Sequence, residues 1–282
     1  NQVAALVSGQ KDTNLRLIER SLGVIVLGRG NELSLVGPAD AVEKAVRVLD
    51  DLTDVSKLGG HLTSKDVHYA IQLAKSSDPV TLCQLSQDVI QVTARGHQIR
   101  PKTLGQKKYV DAIRSNDIVF GIGPAGTGKT HLAQAFGYAC CQHGLKTYFI
   151  KASELRDRFT AARRSGKTDS CLNGLVRPSC LIIDEIGHCA FDKENTRLFF
   201  DLIDRRYNKE GSFNMIFTSN KNPALWREDF EEDATLLCTL DRIFDDATVF
   251  KLRGESFRGK KLETVSLQTG KIPAVEPVVA QE

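Results

Sequence analysis

The stretch Gly123-Pro124-Ala125-Gly126-Thr127-Gly128-Lys129-Thr130 restricts this chain more than any other feature. Its pattern, G-x-x-x-x-G-K-T, demands a tight loop whose successive backbone N–H groups converge, and glycine takes up the turns such a loop needs at no steric cost. The loop can hold an anion when a strand leads into it and a helix N-terminus follows, because the helix's unpaired donors and dipole favour negative charge. Both flanks fit: residues 117–122 (DIVFGI) form a short apolar run, and residues 130–140 (THLAQAFGYAC) read as helix. Lys129 is then placed to reach the β- and γ-phosphates of ATP, and the Thr130 hydroxyl to ligate Mg²⁺. A chance glycine-rich turn is the competing explanation.

Further apolar runs follow at residues 146–150 (KTYFI), 180–185 (CLIIDE), 214–220 (NMIFTSN) and 247–252 (ATVFKL). Helical stretches separate them. Strands this apolar must be covered on both faces, which predicts an α/β fold: a P-loop parallel sheet with helices on both sides. The run at 180–185 ends in Asp184-Glu185. An acid at the end of a strand neighbouring the loop is expected, with Asp184 holding Mg²⁺ through water and Glu185 polarising the attacking water. Two acids capping a buried strand would look the same. Asn220 ends the run at 214–220 and is placed to orient that water, although asparagine is also a common turn former.

Upstream, residues 13–52 read helix, strand, strand, helix. Leu15, Ile18 and Leu22 fall at helical spacing, and two short apolar runs flank Arg29-Gly30-Asn31. Pro38 opens the next helix, and Thr63 with Asp66 predicts a capping box for a third. The expected organisation is a small α+β domain over residues 1–80, a linker at 81–104, the ATPase domain at 105–262 and a loose tail at 263–282.

Composition excludes little else. The 282 residues are 41% apolar and 26% charged, with a formal charge of +3, as in a soluble globular protein. No apolar run is long enough for a membrane helix, and no signal peptide is evident, which together predict a cytoplasmic protein. The excess positive charge lies entirely beyond residue 100. Part of it sits in residues 151–167 (KASELRDRFTAARRSGK), which carry six positives and two negatives. Leu155, Phe159 and Ala162 share one apolar face there, leaving Arg156, Arg163, Arg164 and Lys167 outward. Such a patch suits nucleic-acid backbone phosphates with little sequence preference, but also a plain solvated helix face. The seven scattered cysteines form no C-x-x-C pair and read as reduced core residues.

Two family resemblances converge on the loop. The stretches from GKTHLAQAFGYAC through LIIDEIG, FTSNKNPALW and LDRIFDDATVFKLRGESFR, most of residues 126–262, resemble the IstB/DnaC-like branch of AAA+ ATPases. Residues 13–130 resemble the PhoH family, chiefly through GNELSLVGPADAVEKAVRVLDDL and IRPKTLGQKKYVDAIRSNDIVFGIGPAGTGKT. The chain thus reads as a hybrid joined near Lys129. The first resemblance implies an ATP-dependent DNA-associated helper, working with a transposase or a replicative helicase; the second implies a KH-like domain before an ATPase of RNA metabolism. A non-hydrolysing, ATP-switched scaffold remains open. DNA is expected over RNA as partner. In the AAA+ likeness Arg242 matches an arginine finger acting in trans within a homo-oligomer, and Arg258 a second nucleotide-sensing arginine. Each has an ordinary salt bridge as its alternative. The basic segment falls where that branch carries a DNA-contacting helical insertion. Gln106 resembles an adenine-reading glutamine of helicase-like ATPases, or simply completes a capping box with Thr103. The KH-like segment lacks a G-x-x-G between helices and suits docking or assembly better than RNA reading.

Overall fold

The computed structural model describes residues 2–29, 32–58, 62–76, 80–209, 211, 213–221, 225–226, 229–230 and 247–252. The N-terminal unit begins with α1 (Gln2–Ser8), a short 3₁₀ turn, and α2 (Thr13–Leu22). An antiparallel hairpin follows, β1 (Ile25–Arg29) on β2 (Glu32–Val36), with Val26 opposite Leu35. Next come α3 (Ala39–Lys57) and α4 (Ser64–Lys75). The α4 capping box forms as the sequence predicts: the Thr63 N–H donates to Asp66 at 2.8 Å, and the Asp66 N–H donates to Thr63 Oγ1 at 3.4 Å. Ile18, Ala45, Val48, Leu52 and Val67 meet in a core of this unit's own.

Residues 81–104, expected as a linker, are structured. α5 (Leu82–Gln87) packs into the N-terminal core through Leu82 and Leu85. Its first amides are held from outside the helix: the buried Asp51 carboxylate accepts from the Leu82 N–H at 2.7 Å and the Cys83 N–H at 3.3 Å. A two-residue hairpin, β3 (Gln91–Val92) with β4 (Gln98–Ile99), follows, and Ile90 beside it packs into the next unit's core. Hydrophobic spacing could not show this, because each piece is under two helical turns long.

The second unit runs α6 (Leu104–Ser115), β5 (Ile118–Ile122), α7 (Lys129–Gln142), β6 (Thr147–Lys151), α8 (Ala152–Arg164), α9 (Thr168–Val176), β7 (Cys180–Ile186), α10 (Lys193–Tyr207), β8 (Asn214–Ser219) and β9 (Thr248–Lys251). The five strands form one parallel sheet in the order β6-β7-β8-β5-β9. Neighbouring residues of one strand serve opposite faces. Phe120 joins Phe159, Leu172 and Phe217 beneath α8 to α10, whereas Val119 joins Leu132, Ile182 and Ile216 beneath α6 and α7. The acid-bearing strand β7 is not the immediate neighbour of the cradle strand β5; β8 lies between them. That order places the end of β8 between the two halves of the expected site.

Fully buried Arg206 anchors the far edge. Its guanidinium donates to the carbonyls of Leu175 (3.1 Å), Val176 (3.1 Å), Pro178 (2.9 Å) and Asn214 (3.1 Å), tying the end of α9 to the start of β8. Burial pushes its pKa down to about 10, which leaves it charged at neutral pH. A cation there also meets the negative end of the α9 dipole.

Candidate nucleotide site

All five strands end on the same edge of a parallel sheet, the place where ligands bind in open α/β folds. β5 ends at Ile122. The Gly123 N–H donates to the Ser219 carbonyl at 3.0 Å, and the Leu252 N–H to Ile122 at 2.7 Å. The loop therefore leaves the sheet pinned on both sides. A Cβ at Gly123 would lie 2.4 Å from the Leu252 carbonyl, so only glycine fits. Gly126 and Gly128 take φ of 87° and 90°, the left-handed geometry that turns the loop back over the start of α7. The N-cap of α7 is Gly128, which has no capping side chain, and the helix has no acid in its first turn. Its terminal donors and dipole stay available to an anion. Lys129 Nζ donates to the Pro124 carbonyl at 3.3 Å, folded back over the loop.

Thr130 Oγ1 donates to Asp184 Oδ1 at 2.8 Å, which joins the cradle to the acid across 54 residues of sequence. Asp184 is 2% exposed and accepts a second hydroxyl proton from Thr218 of β8. Thr218 Oγ1 in turn accepts from the Glu185 N–H at 3.2 Å. Glu185 has φ of 61°, an unusual left-handed conformation for a non-glycine residue, and the β7–β8 register slips between Ile183 and Ile186. That extra residue lets Ile183 and Ile186 both stay buried while Asp184 and Glu185 are presented at the strand's end. Strain held in place at such a point is typical of working sites. The Glu185 carboxylate is half-exposed and lies 3.2 Å from Lys151 Nζ at the end of β6; the pairing raises the Lys151 pKa. Asn220 is exposed just past β8, flanked by β5 and β7.

The profile of the family described as IstB-like ATP binding protein matches residues 86–264, which span this whole site. The chain belongs to that family. An IstB-like relative, the ATP-binding protein of insertion sequence IS232 from Bacillus thuringiensis subsp. berliner, is 40% identical over 147 residues, 52% of this chain and 57% of that protein. A PhoH-like protein of Mycobacterium tuberculosis (strain H37Rv) is 44% identical over 172 residues, 60% of this chain and 47% of that protein. The chain thus spans about half the length of the curated relatives it matches. Among solved structures, DnaI superposes with a TM-score of 0.47 at 15% identity, over 62% of this chain and 93% of that one, a likeness too slight to carry a functional inference.

In this IstB-like protein the oxygen-only pair of Thr130 and Asp184 suits Mg²⁺, which needs one or two protein oxygens and completes its octahedron with phosphate and water. Gln106 lies beside the loop but is 4% exposed, and both ends of its side-chain amide bond to backbone. Its own N–H donates to Thr103 Oγ1 at 3.2 Å, while the reciprocal bond of a capping box goes to the Lys102 N–H instead. Arg242 and Arg258 lie outside the described residues.

The basic segment forms α8 and the turn into α9. Leu155, Phe159 and Ala162 face the core, as their spacing predicts. Its cations differ from one another: Arg156 pairs with Asp157 at 2.8 Å, and Arg163 with Asp192 at 3.1 Å. Among the described residues Arg164 and Lys167 are exposed and have no ion pair. Two site residues were not apparent in the sequence as such. Thr218 was visible only as a hydroxyl at the end of an apolar run, and Lys151 was counted with the basic segment.

Proposed function

We propose that this ATP-binding protein hydrolyses Mg·ATP and couples the cycle to nucleic acid, as a helper of DNA transposition or of helicase loading. The observation that carries the reading is the Thr130–Asp184 contact at 2.8 Å, which brings the phosphate cradle and the strand-end acid to one point. The loop amides of residues 123–130 and the α7 N-terminus would take the phosphates, with Lys129 swinging from the Pro124 carbonyl onto the β- and γ-oxygens. Bound Mg²⁺, held by Thr130 and through water by Asp184, would neutralise charge on the transferring phosphoryl group. Glu185 accepts a proton from the attacking water as its oxygen bonds to the γ-phosphorus. The bond to the ADP oxygen then breaks, releasing ADP and phosphate. Asn220 orients the water from the strand between. Arg242 from a neighbouring copy would stabilise the charge that builds, and Arg258 would report the nucleotide state. Arg164 and Lys167, with Arg156 and Arg163 exchanging carboxylates for phosphates, would bind the nucleic-acid backbone.

The 44% identity to a PhoH-like protein favours a second reading, an ATPase acting on RNA. One experiment separates these readings: steady-state phosphate release by the wild type and Glu185→Gln, with duplex DNA or single-stranded RNA added. DNA stimulation of the wild type, and at least a hundredfold loss in the variant with ATP binding kept, is expected. RNA stimulation alone supports the second reading. Equal activity in both proteins rules out Glu185 as the base.

A further inference from the structure

The helix before the cradle touches both the N-terminal unit and the loop. Gln106, on the buried face of α6, lies directly beneath the peptide that joins Thr127 to Gly128. Its Nε2 donates to the Thr127 carbonyl at 2.9 Å, and its Oε1 accepts from the Lys102 N–H at 2.7 Å. A Cβ on Gly128 would sit 2.8 Å from that Nε2, so the glutamine amide and the bare glycine interlock. Thr127 is 3% exposed and its hydroxyl is committed to the Pro124 carbonyl at 3.0 Å. The orientation of this peptide decides where the amides of Gly128 and Lys129 point, and Gln106 is the side chain that holds its carbonyl down. The start of α6 is itself held from the other unit. The Leu104 N–H, two residues before Gln106, donates to the Tyr69 hydroxyl on α4, and the Leu104 side chain packs against the N-terminal core. Further along α6, Lys107 and Arg114 both grip Asp88, at 3.1 Å and 2.7 Å.

We infer that Gln106 is a positioning residue that sets the cradle's backbone for phosphate, and that Tyr69 of the N-terminal unit sets Gln106 through the start of α6. This rests on the phosphate-binding reading of the loop. Turning the carboxamide outward to read a base would sacrifice both of its backbone hydrogen bonds and take from the buried Thr127 carbonyl its donor. The brace and a base reader therefore differ in what they do to a ligand without a base.

The test is equilibrium binding, in the presence of Mg²⁺, of ATP, GTP and inorganic tripolyphosphate to the full chain and to Gln106→Ala and Tyr69→Phe. The brace predicts that Gln106→Ala weakens ATP and tripolyphosphate by the same factor, roughly tenfold (about 1.4 kcal/mol), with the ATP-to-GTP ratio unchanged. Tyr69→Phe, which keeps the ring and deletes the hydroxyl, should weaken both by roughly threefold. Loss of ATP binding with tripolyphosphate retained would overturn the inference in favour of base reading; unchanged affinity in either variant would overturn it outright. If Gln106→Ala does not fold, Tyr69→Phe decides alone. A wild-type chain that binds ATP but not tripolyphosphate also refutes the brace, whereas one that binds neither removes the cradle reading first.

Discussion

Thr218 is the most informative residue to perturb, because one hydroxyl serves both acids. It donates to the buried Asp184 carboxylate and accepts from the Glu185 N–H at 3.2 Å, while being itself fully buried. Thr218→Val keeps the shape and removes both bonds. A hydrogen bond to a buried charge contributes about 2 kcal/mol, and an amide left unpaired costs about 1 kcal/mol more. The expected destabilisation is therefore about 3 kcal/mol, or a melting point roughly 6 to 12 °C lower for a unit of this size. Asp184 would keep the Thr130 hydroxyl, so the fold should survive. Glu185 would lose the contact that helps to hold its left-handed backbone, and turnover should fall at least tenfold with ATP affinity little changed. Thermal unfolding and single-turnover phosphate release read the two effects separately, and Thr218→Ser should restore most of both. If Thr218→Val melts within 1 °C of the wild type and turns over ATP normally, the shared-hydroxyl argument is wrong.

Lys151→Ala should leave the melting point nearly unchanged, because the Glu185 ion pair is half-exposed, yet raise phosphate release without nucleic acid severalfold, since a carboxylate held by an ammonium is less free to take a proton from water. Arg206→Met should cost about 3 to 5 kcal/mol in urea unfolding by stripping donors from four carbonyls, those of Leu175 and Pro178 in buried bonds; a loss under about 1 kcal/mol would show that those carbonyls find other partners. Tyr109→Phe should be neutral or slightly stabilising in the same assay, because the buried Tyr109 hydroxyl has no hydrogen-bond partner among the described residues. A clear loss of stability there would refute that assignment.

The sheet was legible because its five strands are apolar enough to need cover on both faces, and all five formed within a residue or two of the runs that announced them. The loop was legible because its glycines, lysine and threonine are dictated by local backbone geometry and phosphate chemistry alone. Strand order was not, since nothing in Asp184-Glu185 or Asn220 says which of their strands lies beside the cradle strand. The bulge at Glu185 was equally hidden: it brings Ile183 and Ile186 into the same core cluster through a register slip against β8, which local sequence does not mark. Gln106 shows the limit most clearly. Its spacing from Thr103 allowed a capping box and its setting allowed a base contact, but the two backbone groups that claim its amide come from Lys102 and Thr127, the second reached only through the fold.

The meeting of two family likenesses at one loop raises the question of whether one core can serve both, and the packing answers it. Ile90, Tyr109, Val110 and Ile113 precede the loop in the chain; Cys180, Ile182, Ile216 and Leu252 follow it. All are buried in a single cluster with Leu132 and Ala133 of α7. The Tyr109 ring lies against Gly121, whose missing side chain makes the room, since a Cβ there would meet the ring atoms at 2.8 to 2.9 Å. It also meets the ring of Phe250 on β9, with centroids 6.3 Å apart. Large apolar groups can repack against a strand whose register is fixed by backbone bonds. The polar group is less adaptable: the Tyr109 hydroxyl has no hydrogen-bond partner among the described residues, and burial together with the charge of Asp184 raises its pKa. The shared core therefore fits better in its apolar groups than in this polar one, because volume can be shared between neighbours while a hydrogen bond needs its own partner in one place.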